Sequence, residues 1–385
     1  MRILHTSDWH IGRQFHNVSL LNDQQFCLKQ LIDLLTTQNI DLLIIAGDIY
    51  DRSVPPADAV VLLHQTLSTI CIDLKIPTII ISGNHDGPER LGFGADLLKS
   101  SGLFILTDIS KCDAGIKIEK NGEHINVFAI PYCQPEHVRD QFNTDVKTFD
   151  EAHTFLVDKI TKKIDRHSQN EEFNLLMSHC FVDGGEQSES ERPLSIGGAE
   201  TVKWQPMAQF DYVALGHLHA PQYRGKKHIR YSGSLMKYSF SEVNQLKAVT
   251  IIETLNNKLK DIQVLEIQQK RDLRIIESQF DDIIKNGFDD KNKDDYLLIR
   301  ITDTQSVIDA IGKLRLVYPN ILHLEKTAIN NIALNKRDIK TQLNRNEIEL
   351  FTEFYEQTLE QPLTEEQNKC LQAIVKDIYL KQGQS

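Results

Sequence analysis

Short runs of apolar, largely β-branched residues alternate with amphipathic helical stretches through about residue 270 of this 385-residue chain. Helical patterns lie between several of the runs, at residues 19–38, 57–72 and 149–165. The alternation predicts an α/β domain whose early strands are parallel and joined by helical crossovers, and whose later strands, with shorter connections, pair antiparallel. Eight runs are predicted strands: RILHTS, DLLIIAGD, PTIIISGN, INVFAIP, FNLLMSH, DYVALGH, HIRYSGS and AVTIIET.

The pattern changes near residue 270. DDYLLIRITD and ILHLEKTAI predict two strands around a helix in TQSVIDAIGKLRLVYPN, with Val307, Ile308, Ile311 and Leu314 on its apolar face. After residue 340 two apolar stripes predict two helices, separated by Pro362 and a Thr364/Gln367 capping box. The stripes are Ile348, Phe351, Tyr355 and Leu359, then Leu371, Ile374, Val375, Ile378 and Tyr379. We therefore expect a main domain at 1–275, a small α+β domain at 276–335 and a helical segment at 336–385.

Composition limits the class of protein. The chain is 41% hydrophobic and 25% charged, as ordinary globular proteins are. No apolar run is long enough to cross a membrane and no signal-peptide pattern opens the chain, so we expect a soluble, cytoplasmic protein. The six scattered cysteines form no CxxC motif and are predicted to be reduced thiols. The net charge of −11 argues against a polyanionic partner, because nucleic-acid binding usually leaves a basic footprint.

Five of the predicted strands end in side chains that can bind a metal ion. Ligands in open α/β sheets gather at the carboxyl ends of strands, so these residues can converge on one crevice. Taken singly, each motif is compatible with an ordinary polar strand end or, for Asp48, a helix cap. Five motifs in this order are much harder to explain in that way. The residues are Asp8 and His10, Asp48, Asn84 and His85 in SGNHD, His179, and His217 and His219 in GHLH.

The residue types indicate the chemistry. Imidazole nitrogens mixed with carboxylate or amide oxygens, without thiolates, suit Mn²⁺, Fe²⁺ or Zn²⁺ better than Ca²⁺. Seven ligands, which leave one of the eight side chains unbound, are too many for one ion and suit two, with one carboxylate shared. Two dications about 4 Å apart can convert a bridging water to hydroxide near neutral pH and hold phosphate oxygens during in-line displacement. The predicted reaction is hydrolysis of a phosphoester. In the SGNHD motif, Gly83 would let the main chain turn sharply as it leaves the strand.

These five motifs resemble those of the calcineurin-like metallophosphoesterases. The segments ERPLSIGGAETV, DYVALGHLHAPQ, IRYSGSLMKYSFSE and KRDLR narrow the resemblance to the SbcD family, the nuclease subunits of bacterial two-subunit complexes. From Met1 to about residue 275 the resemblance is specific and rests on sequence motifs. After residue 275 it rests on the order of the predicted strands and helices. It implies an α/β sandwich of two mixed β-sheets flanked by helices, with a small capping domain that helps to seat DNA, and C-terminal helices.

The family also implies roles for individual residues. Asp8, His10 and His219 would bind one metal ion, and Asn84, His179 and His217 the other. Asp48 would bridge the two ions, which the family uses most often as Mn²⁺. His85 would act as the catalytic residue, protonating the leaving oxygen or stabilising its charge. Asp51 and Asp86 would support these groups from outside the ligand shell; many relatives carry a second histidine where this chain has Asp51, so that histidine's role does not transfer.

The resemblance implies a DNA nuclease, acting as an exonuclease on duplex ends and an endonuclease on hairpins. The chain has no GxxxxGK[ST] motif, so ATP would be bound by a partner, an SbcC-type ATPase that also carries part of the DNA-binding surface. We expect a homodimer within a heterotetramer, located at the nucleoid, with the C-terminal helices either docked on the ATPase or packed on their own chain. Candidate DNA contacts are Arg52, Arg90, Arg192 and Lys237, although a solvated surface charge is the better interpretation of each one taken singly.

Two alternatives stay open. A phosphatase or cyclic-nucleotide phosphodiesterase with the same site predicts a compact chain that ends near residue 270, and the additional domain and helical tail count against it. A scaffold whose metal site has decayed would lack a ligand, whereas all seven candidate ligands are present.

Overall fold

The computed structural model describes residues 1–167, 172–191, 200–303, 305, 307–327, 348, 351–352, 355 and 362–382. The helices in these ranges are α1 (Leu21–Thr37), α2 (Ala57–Ser68), α3 (Pro88–Leu91), α4 (Ala95–Leu98), α5 (Pro135–Phe142), α6 (Phe149–His167), α7 (Phe280–Gly287), α8 (Ala310–Arg315) and α9 (Glu365–Gln382). The strands are β1 (Arg2–Thr6), β2 (Gln14–Phe15), β3 (Val18–Ser19), β4 (Leu42–Ala46), β5 (Thr78–Ile81), β6 (Leu103–Leu106), β7 (Ile116–Lys120), β8 (Glu123–Ile130), β9 (Phe173–His179), β10 (Phe181–Val182), β11 (Thr201–Val202), β12 (Tyr212–Gly216), β13 (Gln222–Arg224), β14 (Lys226–Tyr231), β15 (Ala248–Leu255), β16 (Lys258–Glu266), β17 (Leu273–Ser278), β18 (Tyr296–Ile301) and β19 (Ile321–Lys326).

Two six-stranded mixed sheets form the body of the protein. Sheet I has the strand order β16–β15–β1–β4–β5–β6, and sheet II has the order β13–β14–β12–β9–β8–β7. In sheet I the neighbouring strands β1, β4, β5 and β6 are parallel to one another, while β15 pairs antiparallel with both β1 and β16. This arrangement confirms the predicted α/β class, the two mixed sheets and the parallel pairing of the early strands.

The prediction that the later strands pair antiparallel is wrong for most of sheet II. Strands β8, β9, β12 and β14 are parallel to one another, and only the edge strands β7 and β13 pair antiparallel, with β8 and β14 respectively. Helix α6 makes the crossover from β8 to β9. From β12 to β14 the short strand β13 carries the chain back along the sheet edge, so a parallel pair forms without a helix. Connection length was therefore a poor guide to strand direction.

The two sheets stack face to face with helices outside them. Along β4, Leu42, Ile44 and Ala46 face a core shared with β8, β9 and β12 of sheet II, while Leu43 and Ile45 face a core lined by α1 and α2. Because successive strand residues point to opposite faces, this alternation explains why the whole strand is apolar. A third core lies between sheet II and helices α5 and α6. The layers are therefore helix, sheet, sheet, helix.

The contacts divide the chain into two compact units. Strands β17, β18 and β19 form a separate three-stranded sheet in that order. The helix predicted over the apolar residues 307–314 is shorter than expected, because Asp309 caps it and it begins at Ala310. Leu314 is buried, but Ile308 is 85% exposed, so the predicted apolar face is only partly buried. The units are Met1–Ile275, Asp290–Leu298 and Tyr318–His323, and Ile276–Asp289, Ile299–Val317 and Leu324–Ser385.

The predicted capping box is present before α9. The Thr364 hydroxyl accepts from the Gln367 amide at 3.3 Å, and the Gln367 side-chain oxygen accepts from the Thr364 amide at 2.9 Å. Leu359 and the side chains of Ile378 and Tyr379 lie outside the described residues. All six cysteines are free thiols, three of them buried. Within the described ranges we find no helix with the length and apolar character that a membrane crossing requires.

Candidate active site

The predicted metal-binding residues lie at the carboxyl ends of strands from both sheets. Strands β1, β4 and β5 of sheet I lead into Asp8 and His10, Asp48 and Asn84, while β9 and β12 of sheet II lead into His179, His217 and His219. Backbone hydrogen bonds join neighbouring loops, since the Asp8 amide donates to Gly47 and the His10 amide donates to Asp48, each at 3.0 Å. The carboxylate of Asp8 joins the two sheets by accepting from the His217 amide at 3.0 Å.

The side chains form two adjoining clusters. In the first cluster, ligand atoms of Asp8, His10 and His219 all lie within 4.8 Å of one another, and the same holds for Asp48, His179 and His217 in the second cluster. Asp48 connects the two, because its Oδ2 is 3.7 Å from Nε2 of His10 and 3.6 Å from Nε2 of His179. The tertiary structure thus places Asp48 where a shared ligand would have to be.

Asn84 completes the second cluster. Its Oδ1 lies 3.0 Å from Nε2 of His179 and 3.0 Å from Nδ1 of His217. The other ring nitrogen of His179 donates to the carbonyl of Ala46 at 2.8 Å, so Nε2 keeps its lone pair toward the cluster. Nδ2 of Asn84 is buried without a hydrogen-bond partner among the described residues. A buried polar group left unpaired in this way commonly marks a site for an ion or water.

The spacing of the nitrogens fits divalent cations. Nε2 of His10 and Nε2 of His219 face each other at 3.1 Å. Two nitrogens that bind one ion at about 2.1 Å, at right angles, lie roughly 3 Å apart, which matches this pair. The set of neutral imidazoles, carboxylates and one amide oxygen is also the mixture that first-row dications accept. The residues present therefore fit two divalent metal ions.

Burial sets the charge states of these groups. It lowers the pKa of His10, His179 and His217, the last to about 3, so these imidazoles are neutral and can act as ligands. Burial and the neighbouring charge of Asp48 raise the pKa of Asp8 well above its ordinary value. For Asp48 itself burial opposes ionisation, but the contacts around its carboxylate, among them the hydrogen bond from the His85 amide, outweigh burial and lower the pKa. Two buried carboxylates this close favour a bound cation.

The backbone is strained at the site. Asp8, His10 and Asp48 adopt left-handed conformations with φ near +50°, and His217 has φ +109°. Such conformations cost about 1–3 kcal/mol each and cluster at functional sites. Gly83 is required for a different reason from the expected turn, since its φ is not positive. A Cβ at Gly83 would lie 2.1 Å from Oδ1 of Asp48, so glycine here makes room for the shared carboxylate.

His85 is held beside both clusters. Its Nδ1 donates to the carbonyl of Asp51 at 2.8 Å, its amide donates to Oδ1 of Asp48 at 2.9 Å, and its Nε2 lies 4.0 Å from Oδ2 of Asp48. The ring is 4% exposed and stands edge-on to His10. The structure therefore directs Nε2 of His85 toward the metal-binding groups while fixing the opposite side of the ring.

The two predicted supporting residues, Asp51 and Asp86, contact the site through different groups. The carboxylate of Asp51 lies 3.8 Å from Nδ1 of His10, too far for a hydrogen bond, and pairs with Arg13 at 3.0 Å. The main-chain carbonyl of Asp51, rather than its side chain, holds His85. Asp86 touches no imidazole, and its carboxylate accepts from the amides of Ile49, Tyr50 and Gly83. Asp86 therefore ties together the loops that carry Asp48 and Asn84.

The candidate DNA contacts have different surroundings. The side chain of Arg52 is 55% exposed next to Asp51, and Arg90 is exposed while donating to the Ser53 carbonyl at 2.9 Å. Lys237 does not suit the expected role, because its buried ammonium pairs with Asp272 at 2.8 Å and donates to the Val243 carbonyl at 2.7 Å. Arg192 lies outside the described residues.

The sequence patterns did not identify several residues that contact the candidate ligands without being ligands themselves. Gln24 on α1 donates to the His10 carbonyl at 2.7 Å, and the Tyr238 ring packs edge-on against both His10 and His219. Glu242 and Lys247 lie behind His219. The segment IRYSGSLMKYSFSE, which includes Tyr238 and Glu242, carries part of the family resemblance, but no motif indicates which of its side chains face the ligands.

The fold and the paired clusters define a class of metal-dependent phosphoesterases. The family model for calcineurin-like phosphoesterases matches residues 1–221, and the SbcD C-terminal model, described as the type 5 capsule protein repressor C-terminal domain, matches residues 269–358. The SbcD chain of the SbcCD nuclease from Staphylococcus epidermidis is 35% identical over 385 residues, covering 100% of both chains. This chain therefore belongs to the SbcD family of calcineurin-like phosphoesterases.

Solved structures that match include a dimetal phosphatase from Danio rerio, with a TM-score of 0.39 and 10% identity, covering 70% of this chain and 99% of that one. A protein from Thermus thermophilus has a TM-score of 0.39 and 11% identity, with coverages of 69% and 99%.

Proposed function

We propose that this chain is the metal-dependent nuclease subunit of an SbcCD-type complex and hydrolyses phosphodiester bonds in DNA, cutting at duplex ends and at hairpins. The observation that carries the proposal is the position of Asp48, whose Oδ2 lies within 4 Å of imidazoles from both clusters. A shared carboxylate between two sets of imidazole, carboxylate and amide ligands is the arrangement expected for two-metal phosphoryl chemistry. Membership in the SbcD family supports DNA as the substrate. A DNA substrate also places the protein at the nucleoid.

The proposed ligands follow the two clusters. Asp8, His10 and His219 would hold one cation and Asn84, His179 and His217 the other, with Asp48 bound to both. Mn²⁺ is the proposed ion, since these nitrogen and oxygen donors suit it. The amide of Asn84 supports this assignment for a phosphodiester substrate, because another carboxylate would add negative charge where the phosphate approaches.

His85 is the proposed catalytic residue. Two bound divalent cations would supply charge neutralisation at the phosphate and a hydroxide nucleophile near neutral pH. The bond between phosphorus and the leaving oxygen would break as the bond between phosphorus and the attacking hydroxide forms. The leaving oxygen would take a proton from Nε2 of His85 or be stabilised by it, and either role requires the doubly protonated ring, because Nδ1 already donates to the Asp51 carbonyl. The Asp51 carbonyl at 2.8 Å from Nδ1 orients the ring for this transfer. Exposed Arg52, next to Asp51, is positioned to contact a neighbouring backbone phosphate.

The function is tested with purified protein, linear duplex DNA, hairpin DNA and a small phosphomonoester, each with Mn²⁺ and with chelator. We expect Mn²⁺-dependent degradation of duplex ends and nicking of hairpins. Rapid hydrolysis of the phosphomonoester without DNA cleavage, even after the ATPase subunit is added, would show that the chain is a phosphatase instead. The metal content of the protein, measured by mass spectrometry, should reach two Mn²⁺ per chain.

A second copy of this chain is a proposed partner. Phe93, between α3 and α4, is 86% exposed, and Leu97, on α4, is 82% exposed. Val54, just before α2, and Val61, on α2, are also exposed. Large exposed apolar side chains at neighbouring elements are typical of an interaction surface. Arg90 joins α3 to the loop that carries Val54 by donating to Ser53. The proposed complex contains two such nuclease subunits and two ATPase subunits.

Replacing Phe93 with aspartate should convert the dimer to a monomer, because a charge would be buried in an apolar interface. Light scattering after gel filtration measures the change. Leu255→Asp is the matched control, since Leu255 is also exposed but lies at the β15–β16 turn. A Phe93→Asp protein that is still dimeric would exclude this surface.

The C-terminal helices are proposed to bind the ATPase subunit. Ile374 on α9 is 54% exposed, which leaves apolar surface for a partner helix. Deleting residues 345–385 should separate the ATPase subunit from this chain on gel filtration. An Ile374→Asp variant should weaken the complex, whereas Gln372→Asp, on an exposed neighbouring position, should not. If the deletion leaves the complex intact, these helices pack on their own chain.

A further inference from the structure

A fully buried ion pair lies behind His219. The carboxylate of Glu242 and the ammonium of Lys247 are 2.6 Å apart, and both side chains have no exposed surface. Neither residue contributes to the five metal-binding motifs. Taking two charges out of water is costly, and replacing such a pair with apolar residues of similar volume is often neutral or stabilising. The pair therefore calls for an explanation other than stability.

The pair holds His219 from two directions. Oε1 of Glu242 lies 3.2 Å from Nδ1 of His219, and Nζ of Lys247 donates to the His219 carbonyl at 2.9 Å. Glu191 adds a third contact by accepting from the His219 amide at 2.6 Å. The ring and both main-chain polar groups of His219 are thus held by charged side chains.

The contact at Nδ1 of His219 determines whether Nε2, the other ring nitrogen, carries a proton or presents a lone pair. A carboxylate at Nδ1 keeps the proton there, so Nε2 presents its lone pair to the first cluster, where it faces Nε2 of His10 at 3.1 Å. The hydroxyl of Ser190 lies 2.7 Å from the same Nδ1 and also donates to the Glu242 carboxylate. Nδ1 of His179, by contrast, donates to a neutral carbonyl, that of Ala46.

We propose that Glu242 and Lys247 form a positioning pair that fixes the tautomer and orientation of His219 and thereby sets the affinity of the metal site formed by Asp8, His10 and His219. The inference rests on the proposed function, since it assigns that cluster to a metal ion. Glu242 provides the acceptor for Nδ1. Lys247 balances the buried charge of Glu242 and anchors the main chain of His219.

Paired variants separate positioning from stability. Glu242→Leu/Lys247→Met removes the carboxylate acceptor and both charges together, and leaves Nδ1 of His219 with the neutral Ser190 hydroxyl alone. Glu242→Gln/Lys247→Met removes the charges but keeps an oxygen acceptor, which should face His219 because Ser188 and Ser190 also donate to that position. Asp113→Asn/Lys159→Met is the control, since this pair at 2.6 Å touches no proposed ligand. Mn²⁺ binding to DNA-free protein is measured by calorimetry and electron paramagnetic resonance, and folding by thermal unfolding in chelator.

We expect Glu242→Leu/Lys247→Met to bind one of its two Mn²⁺ ions about 10–100-fold more weakly and the other normally. The glutamine variant and the control should bind both ions within a few fold of wild type. A folded leucine variant with two ions at wild-type affinity overturns the positioning role. If the leucine variant does not fold, Glu242→Asp, which keeps the charge but shortens the side chain, serves instead, with the same expected loss and the same contrary result.

The two proposals fail in different ways. A wild-type protein that takes up no Mn²⁺ overturns the proposed function and the positioning role with it. A wild-type protein that binds two Mn²⁺ and cleaves DNA, together with unchanged binding in the leucine variant, overturns the positioning role alone.

Discussion

Replacing His85 with glutamine should lower the rate of DNA cleavage about 10²–10⁴-fold while leaving two Mn²⁺ ions bound. The reason is geometric: Nε2 of His85 faces the clusters but the ring is held through the Asp51 carbonyl and is not one of the seven proposed ligands. Glutamine has similar length and can still donate to that carbonyl, so the loop should keep its shape. Single-turnover cleavage of duplex DNA at saturating Mn²⁺ isolates the chemical step.

His64→Gln is the matched control for this variant. His64 is exposed on α2 and belongs to no motif, so cleavage should proceed at the wild-type rate. A His85→Gln protein that keeps more than a tenth of the wild-type rate would exclude His85 from proton transfer. Loss of a metal ion in the same variant would show instead that His85 is a ligand.

Replacing Asp48 with asparagine should reduce cleavage to the level of the metal-free protein, because Asp48 is the one side chain proposed to bind both ions. Asparagine keeps the backbone at this position, since it tolerates the φ of +50° that Asp48 adopts, and its oxygen can still accept from the His85 amide. The variant should therefore fold. It should bind neither Mn²⁺ ion tightly, because the negative charge between the clusters is gone.

Thermal unfolding provides an independent measurement for Asp48→Asn. In wild-type protein each site should add about 2.7 kcal/mol to the free energy of unfolding when Mn²⁺ is 100 times its dissociation constant. The stability of the variant should change little when Mn²⁺ is added, relative to the same variant in chelator. Asp58→Asn, exposed on α2, should behave as wild type. A Mn²⁺ response of wild-type size in Asp48→Asn would exclude the shared-ligand role.

Much of the fold and the site was predictable from sequence, for physical reasons that can be named. Strand β4 reads LLIIA because both of its faces are covered, and the helical periods over 19–38 and 149–165 match α1 and α6 closely. The ends of strands can also be predicted from the sequence, because the apolar run of a buried strand gives way to polar side chains where the strand leaves the core. The candidate ligands could be found in this way, since each one directly follows such a run.

Other features depended on groups far apart in the chain. The direction of β14 beside β12 could not be inferred, because strand pairing is determined by packing between sheets and not by the length of the connection. The pairing of Asp51 with Arg13, and the burial of Lys237 against Asp272, likewise depend on contacts that no local pattern encodes.

The sequence by itself determined which side chains are available for chemistry, because the residue types and their positions at strand ends are local properties. Only the tertiary structure decided that Oδ2 of Asp48 stands between His10 and His179, that the Asp51 carbonyl orients His85, and that Glu242 and Lys247 lie behind His219. These are distances of a few ångströms between residues up to 209 positions apart, as His10 and His219 are. They arise when two sheets pack and bring their strand ends to one place, which no local pattern of residues can specify.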